Sequence, residues 1–142
     1  MTDRALVLSL RPRFAQAILD GSKTVELRRR PIKALPGTTV ILYESSPTMG
    51  VVGTATLTDV VSLRPHTAWR RYRNTLGLTW AEFMEYLTGV EQAHLLRLDD
   101  VKELAHPLSL GTLRASASFR PPQSFRYLST SDPSELHKLI RH

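Results

Sequence analysis

The apolar positions along the chain change period several times, and each change marks an element. Ala5 to Leu10 is almost continuously apolar and stops at Arg11-Pro12, the pattern of a buried strand. From Pro12 to Asp20, Phe14 and Ile18 stand four apart with Ala15 and Leu19 beside them, which predicts a helix with one apolar stripe. Pro12 suits a first helical turn and Gly21 suits the left-handed cap after the last one. After Gly21 the period becomes two, with Val25 and Leu27 alternating with Thr24, Glu26 and Arg28, as in a half-buried strand. Pro36-Gly37 reads as a turn before a strand from Thr38 to Glu44, and Met49 to Leu63 as a long β segment with a bulge at Gly53.

The middle of the chain returns to helical spacing. Thr67 is placed to cap a helix carrying Trp69, Tyr72 and Leu76, ended by Gly77. Thr79 caps a second helix, with Trp80, Phe83, Met84 and Leu87 inside and Gly89 beyond its end. His94 to Val101 predicts a strand, and Ser109 to Phe119 an irregular strand pair. Pro121 to Leu128 reads as a rigid loop, because its prolines cannot donate to a ladder. Asp132-Pro133 starts a final helix over 132–141, whose Leu136, Leu139 and Ile140 stripe either seals the fold or makes a dimer contact. Several strands joined by short turns argue for a closed barrel or compact sheet.

The chemistry concentrates at the first change of period, Gly21-Ser22-Lys23-Thr24-Val25-Glu26-Leu27-Arg28-Arg29-Arg30. Glu26 and Arg28 share one face of the strand, close enough to pair with each other or with a ligand. Strict alternation points Lys23 the other way; it joins that face only if Ser22 and Lys23 still belong to the turn, which a buried unpaired lysine's cost favours. A solvated strand with a surface ion pair worth very little is the plain alternative. Arg11 and Arg13 stand at a strand-to-helix corner suited to a phosphate or carboxylate, where the helix dipole gives them no stabilising role. Glu82 stands three residues after Thr79, so a capping box is its first explanation.

Gly21-Ser22-Lys23-Thr24-Val25-Glu26-Leu27-Arg28 resembles the Gly-x-Lys-x-x-Glu-x-Arg signature of the ASCH domain family, within the PUA-like superfamily. The likeness extends roughly from Ala5 to Leu128, and the strand and Pro-led helix before the motif agree with it. It implies an α+β fold, a small PUA-like β-barrel with peripheral α-helices and a cleft near the motif. It also implies an RNA-related role. Some small relatives are enzymes, an acetylcytidine amidohydrolase and a ribonuclease among them. For an enzyme the implied catalytic residues are Lys23 with Glu26 or Glu82. The amidohydrolase relatives carry threonine where this chain has Glu26, and a functional glutamate in a Thr-x-x-Glu segment like that of Glu82.

Length, charge and residue usage set the outer bounds. The 142 residues suit a single domain, the last helix packed on it. There is no cysteine, hence no disulfide or thiolate metal site. No apolar run approaches the ~20 residues that span a bilayer, and the start does not read as a signal peptide, so a cytoplasmic protein without a membrane partner is expected. His94 and His106 have no metal-ligand spacing, and neither a phosphate-binding glycine loop nor a serine elbow is present. No cofactor or metal is expected. A net charge of +6, largely from arginine, favours an anionic partner. The leading reading is an RNA-binding module, with single-stranded DNA or a modified nucleoside as further ligands. Arg11, Arg13, Lys23, Arg28, Arg29 and Arg30 would meet phosphates, while Glu26 and Phe125 or Tyr127 meet a base. The alternative is a small hydrolase acting on RNA or on a modified nucleoside.

Overall fold

The computed structural model describes residues 5–140. Six strands form one mixed sheet: β1 (Leu6–Leu10), β2 (Val25–Arg28), β3 (Thr39–Glu44), β4 (Gly50–Leu63), β5 (Ala93–Ser109) and β6 (Phe125–Tyr127). Their order across the sheet is β2-β5-β4-β3-β1-β6, with β1 and β3 parallel and the remaining pairs antiparallel. Five helices pack on this sheet: α1 (Pro12–Asp20), α2 (Pro65–Tyr72), α3 (Trp80–Tyr86), α4 (Leu110–Ser116) and α5 (Ser134–His137). The sheet curls into a half-barrel. Register shifts along the long β4–β5 pair, at Val51/Gly53, Thr54/Thr56 and Leu57/Asp59, supply the curl, because each unpaired residue bends and twists its strand.

Both faces of the sheet are covered, which explains why β1 and β3 are apolar runs with little alternation. Leu6, Leu8, Val40, Leu42, Leu57, Leu96 and Leu98 point into the barrel and meet Ala15 and Ile18 of α1. Val7, Ile41, Tyr43 and Val51 point outward, under Leu110 and Leu113 of α4 and Leu136 of α5. Val25 and Leu27 of β2 and Leu95 of β5 make a third cluster with Ala68 of α2, Phe83 of α3 and Leu76. Burying a leucine or isoleucine in such a cluster stabilises the fold by roughly 1.5–3 kcal/mol.

Several sequence expectations change in the structure. The helix expected from a Thr67 cap begins earlier, at Pro65 behind Arg64, and ends at Tyr72; Gly77 lies in the irregular connection to α3, beyond the turn that follows. Trp80 was expected inside α3, yet it is 42% exposed, because Phe83 and Leu87 fill the space beneath the helix. The segment expected as an irregular strand pair after Ser109 is α4, capped by the Ser109 hydroxyl. The expected loop at Phe125–Tyr127 instead pairs with the edge of β1. The final helix is shorter than 132–141, and residue 141 lies outside the described residues.

Gly53 itself is paired, beside the register shift between Val51 and Gly53, and marks a close approach of two strands. A Cβ there would lie 2.5 Å from the Lys102 carbonyl oxygen and 2.9 Å from Leu19 Cδ2. Gly53→Ala should therefore cost about 1–3 kcal/mol by overpacking against backbone. Urea unfolding should show a lower midpoint at unchanged slope; an unchanged midpoint would contradict the close approach.

Candidate functional site: an ion cluster in the seam of the barrel

The sheet does not close on itself by strand pairing; its two ends, β2 and β6, face each other across a seam. α1 ends at Gly21, whose φ of 87° is the left-handed cap its glycine permits. Residues 22–24 then form a turn before β2 starts. The turn is held on two sides: Lys23 N–H donates to Ala17 O (3.0 Å), and Thr24 N–H to Thr75 O (3.0 Å). This brings Lys23 onto the Glu26 and Arg28 face, as the turn reading expected.

Lys23, Glu26 and Arg28 are all buried, at 1%, 7% and 6% exposure. Lys23 Nζ lies 3.2 Å from Glu26 Oε1 and donates to the Leu76 carbonyl at 2.5 Å. It also sits 5.2 Å from the centre of the Phe14 ring. The other carboxylate oxygen, Glu26 Oε2, pairs with Arg28 Nη2 at 2.6 Å. Arg28 then spans the seam: Nη2 donates to Ser9 O of β1 (3.1 Å), while Nη1 donates to Ser124 O (3.2 Å) and to Ser124 Oγ (2.8 Å). Its Nε has no partner among the described residues. Burial pushes the Lys23 ammonium below the ordinary lysine value, and Arg28 and Arg13 add to that; Glu26 opposes them without restoring it.

Above the cluster opens a cleft of about 1230 Å³. Of the residues singled out in the sequence, Arg11, Lys23, Glu26, Arg28, Arg29, Arg30, Glu82 and Phe125 line it. Arg11 and Arg30 are exposed and engage no partner among the described residues, which leaves their guanidinium groups available to a ligand. Arg29 is anchored by one nitrogen, Nη1, to the carbonyls of Tyr86 (2.6 Å) and Thr88 (2.9 Å). Arg13 and Tyr127 are not part of the lining. Arg13 forks onto Glu82, at 2.5 Å to Oε2 and 3.0 Å to Oε1, and donates to Gly77 O at 2.9 Å. Tyr127 packs half-buried against the inner core cluster.

Glu82 has the capping role its spacing suggested: Thr79 and Glu82 exchange side-chain and backbone bonds at 2.9 and 3.2 Å. The Arg13 guanidinium holds its carboxyl down at about 2, with the Thr79 N–H contributing. Sequence reasoning missed Ser9, Tyr43, Tyr86 and Ser124, which also line the cleft. Tyr43 is hidden inside an apolar strand, and Ser124 inside a segment that drew attention through its aromatics. Because Ser124 Oγ accepts from Arg28, its own proton is left for a ligand. Among the described residues, no group of three or more His, Asp or Glu side chains is placed to share a metal ion.

The family described as a domain of unknown function (DUF365) matches residues 4–116. An ASCH domain-containing ribonuclease of Zymomonas mobilis is 36% identical over 145 residues, covering 98% of this chain and 97% of its own. A crystal structure of ASCH from Zymomonas mobilis superposes with a TM-score of 0.88 at 32% identity, covering 99% of both chains. The N-terminal domain of Staphylothermus marinus McrB shares the fold, with a TM-score of 0.60 at 10% identity over 95% of this chain and 92% of its own.

The Arg13–Glu82 fork ties α1 to α3 beside the cleft and has a defined pH window. The folded-state pKa of Glu82 is lowered, so the pair's contribution is complete above the ordinary glutamate value of 4.5 and is lost as pH falls through about 2. Stability measured between those limits should fall less steeply with acid in Glu82→Gln than in the parent. Identical acid limbs would show that the pair carries no linkage.

Proposed function

The chain belongs to the ASCH domain family, and on that footing we propose that its cleft binds single-stranded RNA and cleaves it by attack of a 2′-hydroxyl on the adjoining phosphodiester. The observation that carries this reading is a buried lysine of lowered pKa, bonded to a carboxylate, on the floor of a cleft rimmed by unpaired arginines. The full-length relative named as a ribonuclease supports it.

Each group has a task in that reaction. Arg11 and Arg30 draw the phosphates in and make affinity fall with salt. The Ser124 hydroxyl donates to a non-bridging phosphate oxygen. Lys23, in its neutral form, takes the 2′-proton as the 2′-oxygen bonds to phosphorus and the bond to the 5′-oxygen breaks. Glu26, 3.2 Å from Lys23, relays that proton to the leaving 5′-oxygen. The products are a 2′,3′-cyclic phosphate and a 5′-hydroxyl, and nothing is oxidised or reduced. Phe125, which also lines the cleft, offers a ring for a base to stack on.

A second reading, binding without turnover, draws on the engagement of Arg28 by Ser9, Glu26 and Ser124, which makes that arginine a brace. One experiment separates the two. Single-stranded RNA should be cut and the same sequence as DNA left intact, since DNA lacks the attacking hydroxyl. The rate should rise with pH through the lowered pKa of Lys23. Lys23→Met, checked for folding by circular dichroism, should lose roughly 10²-fold or more in rate. It should still retain RNA. Cleavage by Lys23→Met at the parent rate would overturn the catalytic assignment, and retention of RNA without cutting by the parent would favour the binding module.

A further inference from the structure

A second cleft, of about 790 Å³, opens on the other side of Arg29, and nothing in the reaction above uses it. Arg29 lines both clefts. The β2–β5 ladder joins them as well. Arg28 on the floor of the first stands directly opposite His94 in the wall of the second. The two cavities therefore abut along one strand pair, with the anchored Arg29 as the ridge between them.

The second cleft is built for an anion. Arg64 and His66 line it at the start of α2, an eight-residue helix. No acidic side chain occupies the first turn of that helix and no side chain caps it, so its backbone donors are open to a ligand. An independent feature points the same way. His94 is 8% exposed, and its Nδ1 lies 2.7 Å from Ser62 Oγ, which fixes the ring. Among the described residues its Nε2 has no hydrogen-bond partner, and His94 lines the second cleft. A phosphate at Nε2 would select the tautomer in which that nitrogen carries the proton and Nδ1 accepts from the Ser62 hydroxyl. Glu91 is the one carboxylate in the lining among the described residues, and can accept from the amino edge of a base.

We propose that this second cleft is a subsite for the nucleotide next to the pair held at the cleavage site. In it, Arg64, His94 Nε2 and the α2 N-terminus bind that nucleotide's phosphate. The strand passes from the first cleft over Arg29 into the second. The inference rests on the RNA reading above and extends it: the substrate class is a continuous single strand longer than a dinucleotide. A dinucleotide fills the first cleft only.

Random-sequence di- and tetranucleotides bearing 2′-O-methyl groups, which block attack by the 2′-oxygen, test this by direct binding. The parent should hold the tetranucleotide about tenfold more tightly than the dinucleotide. Arg64→Ala should remove most of that gain, lower the salt slope of tetranucleotide binding by about one, and leave dinucleotide binding unchanged. Arg64 is exposed and makes no capping bond, so its loss does not threaten the fold. His94→Gln should act in the same direction. Equal affinity of the parent for both lengths, as a site for free phosphate would give, overturns the subsite and leaves the cleavage cleft standing. So does parent-like tetranucleotide binding by both variants. A parent that binds neither length overturns the RNA reading and the subsite with it.

Discussion

The seam of the barrel is held by one guanidinium. Arg28 reaches from edge strand β2 to Ser9 on β1 and to Ser124 beside edge strand β6, crossing the gap that the ladder leaves open. It can be buried there because Glu26 neutralises it at 2.6 Å. Desolvating such charges costs several kcal/mol per ion, and removing one partner of a buried pair typically costs about 3–5 kcal/mol. The arrangement is thus a poor source of net stability but a strong determinant of position. Through this contact the β2 wall of the cleft is fixed directly against the β1 and β6 wall.

The same arithmetic of charge leads to function. Two buried cations, Lys23 and Arg28, share one carboxylate. Burial pushes Lys23 toward the neutral amine, and the neighbouring charges of Arg28 and Arg13 add to that. An arriving phosphate would supply the missing negative charge and draw the lysine back toward its ammonium form. The protonation of Lys23 therefore responds to whether an anion occupies the cleft. The run Arg28-Arg29-Arg30 divides its labour along the strand end: the first braces the seam, the second forms a fixed ridge, and the third stays open to solvent.

The start of this site was legible because local rules decide it. Pro12 and Gly21 bound α1, and the change from a period near four to a period of two marks where β2 begins. The placement of Lys23 followed from the cost of burying it unpaired. What lay beyond local pattern was the pairing across the seam, since Ser124 and Arg28 are 96 residues apart. An arginine in a basic run is ordinarily taken as solvated, so nothing near Arg28 announced its burial. α4 was misjudged because seven residues give too few turns to show a helical period, and its signal was a serine cap rather than a stripe. Trp80 was misplaced because its spacing matches Phe83, while only tertiary packing decides which ring lies beneath the helix.

The titration of the Lys23 side chain, followed by NMR on protein with labelled lysine, tests the central claim most directly. Burial should hold its pKa below the ordinary lysine value of 10.5, and Glu26→Gln should lower it further by removing the opposing carboxylate. A Lys23 that titrates at or above 10.5 in the parent would show that its pairing with Glu26 outweighs burial, and would contradict the poised amine on which the reading of this cleft rests.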